Sequence, residues 1–194
     1  MLTFYLLLGC AGAVELRSGD IIFEVSTSSQ AKAVALASRS PIGHVGIIAV
    51  HNGVVTVVEA VQPVREVPLE DFKANGLNWT ISRLKQPPTK DDWADGVLRV
   101  ARKWKGKRYD SRFEWSDDKI YCSELVWKAF DRGAGIQLVA PQHIGDLDLF
   151  WPPVKALIKA RLHGKAPDLE EPIVTPGHLH DSELLETIVG WVGH

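Results

Sequence analysis

The stretch from Gly43 to Ala60 constrains the fold more than any other part of the sequence. Two runs rich in β-branched residues lie on either side of Asn52 and Gly53. Both of these residues tolerate the positive φ angles of a tight two-residue turn. The pattern therefore predicts an antiparallel hairpin whose register is set by its turn.

The register of this hairpin brings a histidine and a glutamate to one face. Counting outward from the turn pairs Gly46 with Glu59 and places His44 opposite Val61. Side chains alternate between faces, so His44 and Glu59 become diagonal neighbours about 7–8 Å apart by backbone, with Gly46 leaving room between them. A carboxylate placed in this way can fix the tautomer of the imidazole and raise its basicity. The alternative is a solvent-exposed pair at the end of a strand.

A second informative stretch surrounds Cys122. Apolar residues recur from this cysteine at the i, i+3, i+4, i+7 and i+8 spacing of an amphipathic helix, with Asp117 or Asp118 as its expected cap and Gly133 as its expected end. The stripe consists of Cys122, Leu125, Val126, Ala129 and Phe130.

The position of Cys122 in the first turn makes it a candidate nucleophile. The partial positive charge and the free N–H groups of a helix start favour thiolate over thiol. The alternative is a small buried residue that packs the helix against a sheet. A histidine placed to act as a base, with a third group to orient it, would favour the catalytic role of Cys122 over the packing role.

Composition excludes several classes of function. The 194 residues suffice for one domain, or one domain with a tail, and a net charge of −2 with scattered basic residues gives no surface for nucleic acid. The cysteines are Cys10 and Cys122, which allow neither a disulfide framework nor a cysteine-rich zinc site. His178 and His180 lack a clustered carboxylate or cysteine, so we interpret them as solvated. We predict no metal and no cofactor.

The first 13 residues form an apolar run followed by small residues. The run resembles the end of a secretory signal, with Ala11-Gly12-Ala13 as a cleavage site or Leu7 to Cys10 as a weak lipoprotein box. A basic region before it is missing, and a buried N-terminal strand or helix is the alternative. We therefore predict a signal or lipoprotein segment, truncated, over residues 1–15, a single domain over residues 16–194, and an exported protein of the cell envelope or periplasm. It would contact the membrane only through a lipid on Cys10.

The remaining elements follow from hydrophobic period and turn residues. We expect Phe113 and Trp115, in the loop before Cys122, to be core anchors, although such a loop could also line a substrate groove. The expected strands cover residues 21–25 and 77–84, and the expected helices cover residues 30–37, a segment from about Trp93, a segment after Trp151, and residues 181–189.

Six segments together resemble the YiiX/YaeF group of circularly permuted papain-like cysteine hydrolases, which are related to the NlpC-type cell-wall peptidases. The resemblance covers roughly residues 16–176, in order and with compatible spacing. In the usual NlpC-type order the cysteine helix precedes the histidine strand, whereas here the histidine comes first. The segments are Gly19 to Phe23, Gly43 to Ile47, Val58 to Ala60, Gly106 to Asp110, Trp115 to Asp118 and Tyr121 to Trp127.

This resemblance implies a fold and a set of site residues. The fold is a circularly permuted papain-like α+β fold, with an antiparallel sheet or partial barrel packed against the cysteine helix. Cys122 is implied as the nucleophile, His44 as the base and Glu59 as the orienting residue. Tyr109 matches the tyrosine of the NlpC-type active site, which implies hydrogen bonding near the thiolate or the oxyanion.

The sequence therefore predicts a cysteine peptidase or amidase that acts through an acyl-enzyme, with peptides or peptidoglycan stem peptides as the leading substrates. The alternatives are an N-acyl or thioester lipid hydrolase or acyltransferase, and a non-catalytic module that binds lipids or peptides. An apolar groove beside the cysteine would favour a lipid, and a polar groove with a charge would favour a peptide. Substrate and oligomeric state stay open at this point.

Overall fold

The computed structural model describes residues 14–90 and 92–193. The predictions for residues 1–13, including Cys10, lie outside the described residues. The strands are β1 (Ile21–Ser26), β2 (His44–His51), β3 (Val54–Glu59), β4 (Arg65–Pro68), β5 (Gly76–Leu84), β6 (Gln142–His143), β7 (Pro172–Ile173) and β8 (Leu185–Gly193). The helices are α1 (Ser29–Ala37), α2 (Leu69–Lys73), α3 (Trp93–Arg102), α4 (Cys122–Ala134), α5 (Pro152–Arg161) and α6 (Pro176–His180), with a 3-10 turn at Ile144–Asp146.

One six-stranded antiparallel sheet carries the histidine. Its strand order is β4-β3-β2-β1-β5-β8, and β6 pairs with β7 in a separate two-stranded sheet. In the described part of the chain the two edge strands, β4 and β8, do not pair with each other, so the large sheet stays open rather than closing into a barrel. The α+β architecture agrees with the expected fold.

The hairpin forms in the expected register. Gly46 pairs with Glu59, and Asn52 occupies the turn with a φ angle of 50°. A Cβ atom on Gly46 would collide with a methyl carbon of Val57, which explains the need for glycine on this crowded face. The expected partner of His44 differs. β3 ends at Glu59 and does not extend to Val61, so the expected pair does not form. His44 pairs with Glu24 of β1, the strand on the other side of β2.

Helix α4 packs on β2 and α3 and is buried along its first nine residues, from Cys122 to Phe130. All five residues of the expected apolar stripe belong to the main apolar cluster, so the stripe is confirmed. The expected cap is wrong, because the helix begins at Cys122 and Tyr121 is the N-cap, which places Asp117 and Asp118 too far upstream. The backbone N–H of Tyr121 donates to the Glu124 side chain at 3.3 Å, and this bond gives the N-cap N–H a partner.

The end of α4 also differs from the expectation. Gly135, with a φ angle of 70°, provides the left-handed cap that was assigned to Gly133. Gly133 instead lies against Gly96 of α3, where a Cβ atom on Gly133 would meet the Gly96 carbonyl oxygen at 2.6 Å. A Cβ atom on Gly96 would also be too close to the Gly133 carbonyl oxygen. The two helices therefore touch backbone to backbone.

The expected helix over residues 181–189 is wrong. This part of the chain enters β8, which pairs with β5, for example Leu84 with Leu185. Hydrogen bonding to the open edge of the sheet overrides the weak helical pattern of this segment. Among the described residues, no helix combines the length and apolar character needed to cross a membrane.

Candidate active site

Cys122 is the first residue of α4 and is only 5% exposed. The first four N–H groups of a helix have no partner within the helix, so the sulfur lies beside donors and at the positive end of the helix dipole. The sulfur also lies among core residues, since Cys122 belongs to the main apolar cluster together with Leu125 and Val126.

His44 is the first residue of β2, and its ring stacks on Phe72 at 5.4 Å between centroids. Its Nε2 atom lies 2.6 Å from the Glu59 carboxylate, which leaves Nδ1 as the ring nitrogen that can interact with Cys122. Burial alone would lower the pKa of His44. The hydrogen bonds and charges of Cys122 and Glu59 outweigh that effect and raise the pKa to about 10. The ring is therefore suited to hold a proton beside a thiolate.

Glu59 ends β3 and is 2% exposed, so it needs partners to stay ionised. Its second carboxylate oxygen accepts a hydrogen bond from Nε of Arg65 at 2.8 Å, and Arg65 Nη2 lies at the same distance. Burial disfavours the charge, but the bonds from His44 and Arg65 prevail and keep the pKa of Glu59 below its usual value. The expected contact of His44 with Glu59 is present.

Tyr109 joins the same site from the loop before α4. Its side chain lines the same cavity as Cys122, and its hydroxyl accepts a hydrogen bond from the Gln30 side chain at 2.9 Å. Its backbone N–H donates to the Gln62 side chain at 2.7 Å. The structure thus brings together all four residues expected at the site.

Sequence reasoning missed Glu24, a second carboxylate near the histidine. It lies on β1 opposite His44, is 1% exposed, and its Oε2 atom has no hydrogen-bond partner among the described residues. Burial raises the pKa of Glu24, against the lowering effect of the His44 charge. The available signal was a single acidic residue within the apolar run of β1, but only the pairing of β1 with β2 shows what it faces.

Two cavities meet at the site. A narrow apolar cavity of about 90 Å³ reaches Cys122 between α1 and α5, and a polar cavity of about 550 Å³ reaches His44 and Glu59. Both are lined by Gly43, Tyr109, Ser111 and Arg161, so they adjoin beside the sulfur. The apolar walls include Ala33, Val34, Val154, Leu157, Ile158 and Val174.

Two further segments shape the apolar cavity. Phe113, expected in the core, is only half-buried, packs on Tyr121 at 5.4 Å between ring centroids, and lines this cavity. The extended segment after Pro172 passes the site and is tied to α4, because Ser123 Oγ donates to the Val174 carbonyl at 2.7 Å. The loop before the helix therefore lines the candidate groove. This was the alternative to a core position for Phe113.

The two C-terminal histidines differ from the expectation that they are solvated. His178 and His180 are half-buried, and the His180 ring lies 5.1 Å from that of Phe23. Within residues 14–90 and 92–193, no three or more histidine, cysteine and acidic side chains are grouped so that they could hold a metal ion.

Comparison with known proteins agrees with this geometry. A family model described as the permuted papain-like amidase enzyme, YaeF/YiiX, matches residues 15–189. The protein YiiX of Escherichia coli is 36% identical over 173 residues, which cover 89% of this chain and 85% of that protein. The crystal structure of the metalloprotein yiiX from Escherichia coli O157:H7 superposes with a TM-score of 0.83 at 36% identity over 89% of this chain and 96% of that chain. The chain therefore belongs to the permuted papain-like amidase family of YaeF and YiiX, and it is a cysteine hydrolase of the amidase type.

Proposed function

We propose that the chain hydrolyses amide bonds with Cys122 as the nucleophile, His44 as the base and acid, and Glu59 as the orienting group. One observation carries this proposal. The His44 ring bridges the buried Glu59 carboxylate, at 2.6 Å, and the sulfur of Cys122 at the start of a helix. This arrangement of nucleophile, base and third group is the one that activates a thiol.

Acylation begins from the pair of thiolate and imidazolium. The sulfur of Cys122 attacks the carbonyl carbon, and the developing oxyanion turns toward the Cys122 backbone N–H at the start of α4. As the C–N bond breaks, the imidazolium of His44 delivers its proton to the departing nitrogen. The products of this step are a free amine and a thioester with Cys122.

Deacylation uses the same groups in reverse. A water molecule gives a proton to His44 and attacks the thioester carbonyl, which releases a carboxylic acid and restores the thiolate–imidazolium pair. Glu59 stays ionised throughout, because Arg65 neutralises the face that His44 does not occupy. Its role is to hold the ring so that Nδ1 faces the sulfur.

The two cavities support a substrate with sides of different polarity. The apolar cavity reaches Cys122, which receives the acyl group, whereas the polar cavity reaches His44, which protonates the departing amine. The acyl part of the substrate would therefore lie among aliphatic side chains, and the amine part would lie in the polar cavity. Arg65 and Arg161 line that cavity and could bind a carboxylate of the amine part.

A peptide is our first candidate for this substrate, and a peptidoglycan stem peptide would supply both an amide and a carboxylate. The apolar cavity specifically favours a second candidate, an N-acyl amide whose acyl chain fills the space between α1 and α5. The reaction is the same up to the acyl-enzyme, and only the group that enters the apolar cavity differs.

The test compares wild-type protein with Cys122→Ala and Cys122→Ser on a panel of muropeptides, N-lauroylglycine and N-acetylglycine, with release of free amine as the measurement. We expect release by the wild type alone. Preference for N-lauroylglycine over N-acetylglycine would support the N-acyl candidate, and preference for muropeptides would support the peptide candidate. Release by the alanine variant would remove Cys122 from the mechanism and overturn the proposal.

We also propose that the protein acts in the cell envelope, on the basis of the apolar run in residues 1–13. Expression of the full chain in a bacterium, followed by fractionation and mass spectrometry of its N-terminus, tests this. Cleavage after Ala13 or a lipid on Cys10 would support export. An unmodified N-terminus in the cytoplasmic fraction would contradict it.

A further inference from the structure

Two polar side chains that take no part in the proposed proton transfers hold Tyr109 on the side away from the sulfur. The Nε2 atom of Gln30, in the first turn of α1, donates to the Tyr109 hydroxyl at 2.9 Å. The Nη2 atom of Arg161, the last residue of α5, donates to Oε1 of Gln30 at 2.8 Å. Hydrogen bonds therefore run from Arg161 through Gln30 to Tyr109, and Tyr109 and Cys122 line the same cavity.

The chemistry of these groups gives the chain a direction. A guanidinium has donors only, so Arg161 fixes Oε1 of Gln30 on its own side and turns the NH₂ group toward Tyr109. The hydroxyl oxygen of Tyr109 then accepts a hydrogen bond, and its own proton must point elsewhere. The partner on the other side is Cys122.

We propose that Gln30 and Arg161 are positioning residues that turn the hydroxyl proton of Tyr109 toward the sulfur of Cys122. The thiolate would then receive a hydrogen bond from Tyr109 in addition to the charge of His44. This inference deepens the proposed function, since it concerns how the same sulfur is activated.

Two properties of the site support this role. Burial and the charge of Cys122 raise the pKa of Tyr109 well above its usual value, so the hydroxyl keeps its proton and remains a donor. A hydrogen bond to an ionised acceptor is about twice as strong as one between neutral groups. Because α5 also forms a wall of the apolar cavity, the helix that would contact the acyl group also anchors the donor.

The test uses the pH dependence of alkylation of Cys122 by iodoacetamide, which needs no substrate. Gln30→Glu is the central variant, because a carboxylate keeps an ion pair with Arg161 but accepts from Tyr109 and turns the hydroxyl proton away from the sulfur. We expect Gln30→Glu and Tyr109→Phe each to raise the midpoint pH of alkylation by about one unit. In a Tyr109→Phe background, Gln30→Glu should add little, because both act through one hydroxyl.

Matched variants separate the direction of the Tyr109 hydroxyl proton from general effects on the fold. Gln30→Met removes the donor without offering an acceptor, so its shift should be smaller than that of Gln30→Glu. Arg161→Lys should keep most of the effect of the arginine, whereas Arg161→Met should lose it. Gln86→Glu makes the same change of charge at an exposed side chain and should leave the midpoint where it is in the wild type.

Three results would overturn the inference. They are a wild-type midpoint in Gln30→Glu, a wild-type midpoint in Tyr109→Phe, and a shift by Gln30→Glu that persists in full when Tyr109 is phenylalanine. Circular dichroism and thermal unfolding of each variant establish that it is folded, and Gln30→Met serves if Gln30→Glu is not. Failure of the proposed function would be a separate result, seen as amine release by Cys122→Ala.

Discussion

One cluster of buried charged side chains lies beside the cysteine helix and a second lies within it, and the two differ in what they face. His44, Glu59 and Glu24 lie on the neighbouring strands β2, β3 and β1 and line the polar cavity of about 550 Å³. Glu124 and Lys128 lie within α4 itself, 2.7 Å apart, and are 0% and 1% exposed.

The second cluster is closed by its own partners. Lys128 Nζ donates to the Ser116 carbonyl at 2.6 Å and to the Asp117 carboxylate at 2.9 Å, and it lies 5.1 Å from the centre of the Trp115 ring. These contacts fasten the loop before the helix to the helix. Burial raises the pKa of Glu124 to about 7 in spite of Lys128. In this protein, the buried carboxylates of Glu24 and Glu59 face a cavity, whereas that of Glu124 pairs with Lys128 inside the fold.

The largest expected effect concerns the cluster that faces the polar cavity, namely His44, Glu59 and Glu24. We expect His44→Ala to lower kcat/KM by about 10³-fold or more, because it removes the base, while the midpoint of urea unfolding changes little. Steady-state kinetics and urea unfolding on the same preparation measure both. A variant that loses its stability along with its activity would show that this cluster, too, is chiefly structural.

The closed cluster should respond in the opposite way. We expect Lys128→Met to lower the free energy of unfolding at pH 8 by about 3–5 kcal/mol, because it leaves the Glu124 charge buried without its partner. The double replacement of Lys128→Met with Glu124→Gln should recover most of that loss. Urea unfolding is the measurement, and a fully stable single variant would contradict the structural role.

The pH dependence of stability should report the closed cluster. Since the pKa of Glu124 is raised from 4.5 to about 7, the folded state holds its proton more tightly than the unfolded state does. Its contribution is therefore fully present below pH 4.5 and is lost as pH rises through about 7, by on the order of 3 kcal/mol. The difference between wild type and Glu124→Gln across this range isolates it. A difference that does not vary with pH would refute the assignment.

The smallest effect concerns the orientation of the base. We expect Glu59→Gln to lower kcat/KM by about 10- to 100-fold and to move the alkaline limb of its pH profile downward. His44 is protonated below about pH 10 and loses its proton above it, and Glu59 is one of the groups that keep this pKa high. Glu66→Gln is the matched control, because Glu66 pairs with Arg102 and Lys105 outside both cavities. An unmoved limb in Glu59→Gln would contradict the orienting role.

The parts of the site that sequence could predict are those specified locally. Asn52 and Gly53 set the hairpin register by their backbone preference, and alternation along the strands then places His44 and Glu59 on one face. The helical spacing of apolar residues after Cys122 likewise predicts α4 from local sequence. These patterns act over a few residues, so they do not depend on how the rest of the chain folds.

The parts that sequence could not predict depend on distant partners. The bond from Arg161 to Gln30 joins residues 131 positions apart, and the role of Glu24 appears only when β1 is placed beside β2. Asp117 or Asp118 is the expected cap of α4 because aspartate is a common cap, yet the Asp117 carboxylate pairs with Lys128 and Arg132. The strand β8 was missed for the same reason, since its partner β5 lies about 100 positions earlier.

The contact of Gly96 with Gly133 has a consequence for the sulfur three helical turns away. Because two backbones meet there with no side chain between them, α4 can neither slide along its axis nor roll without colliding with α3. Even a methyl group at either glycine would force the helices apart and carry Cys122 away from the imidazole. A displacement of the sulfur by about 1 Å is enough to lower the rate roughly 100-fold. The two glycines therefore determine the position of the reacting atom.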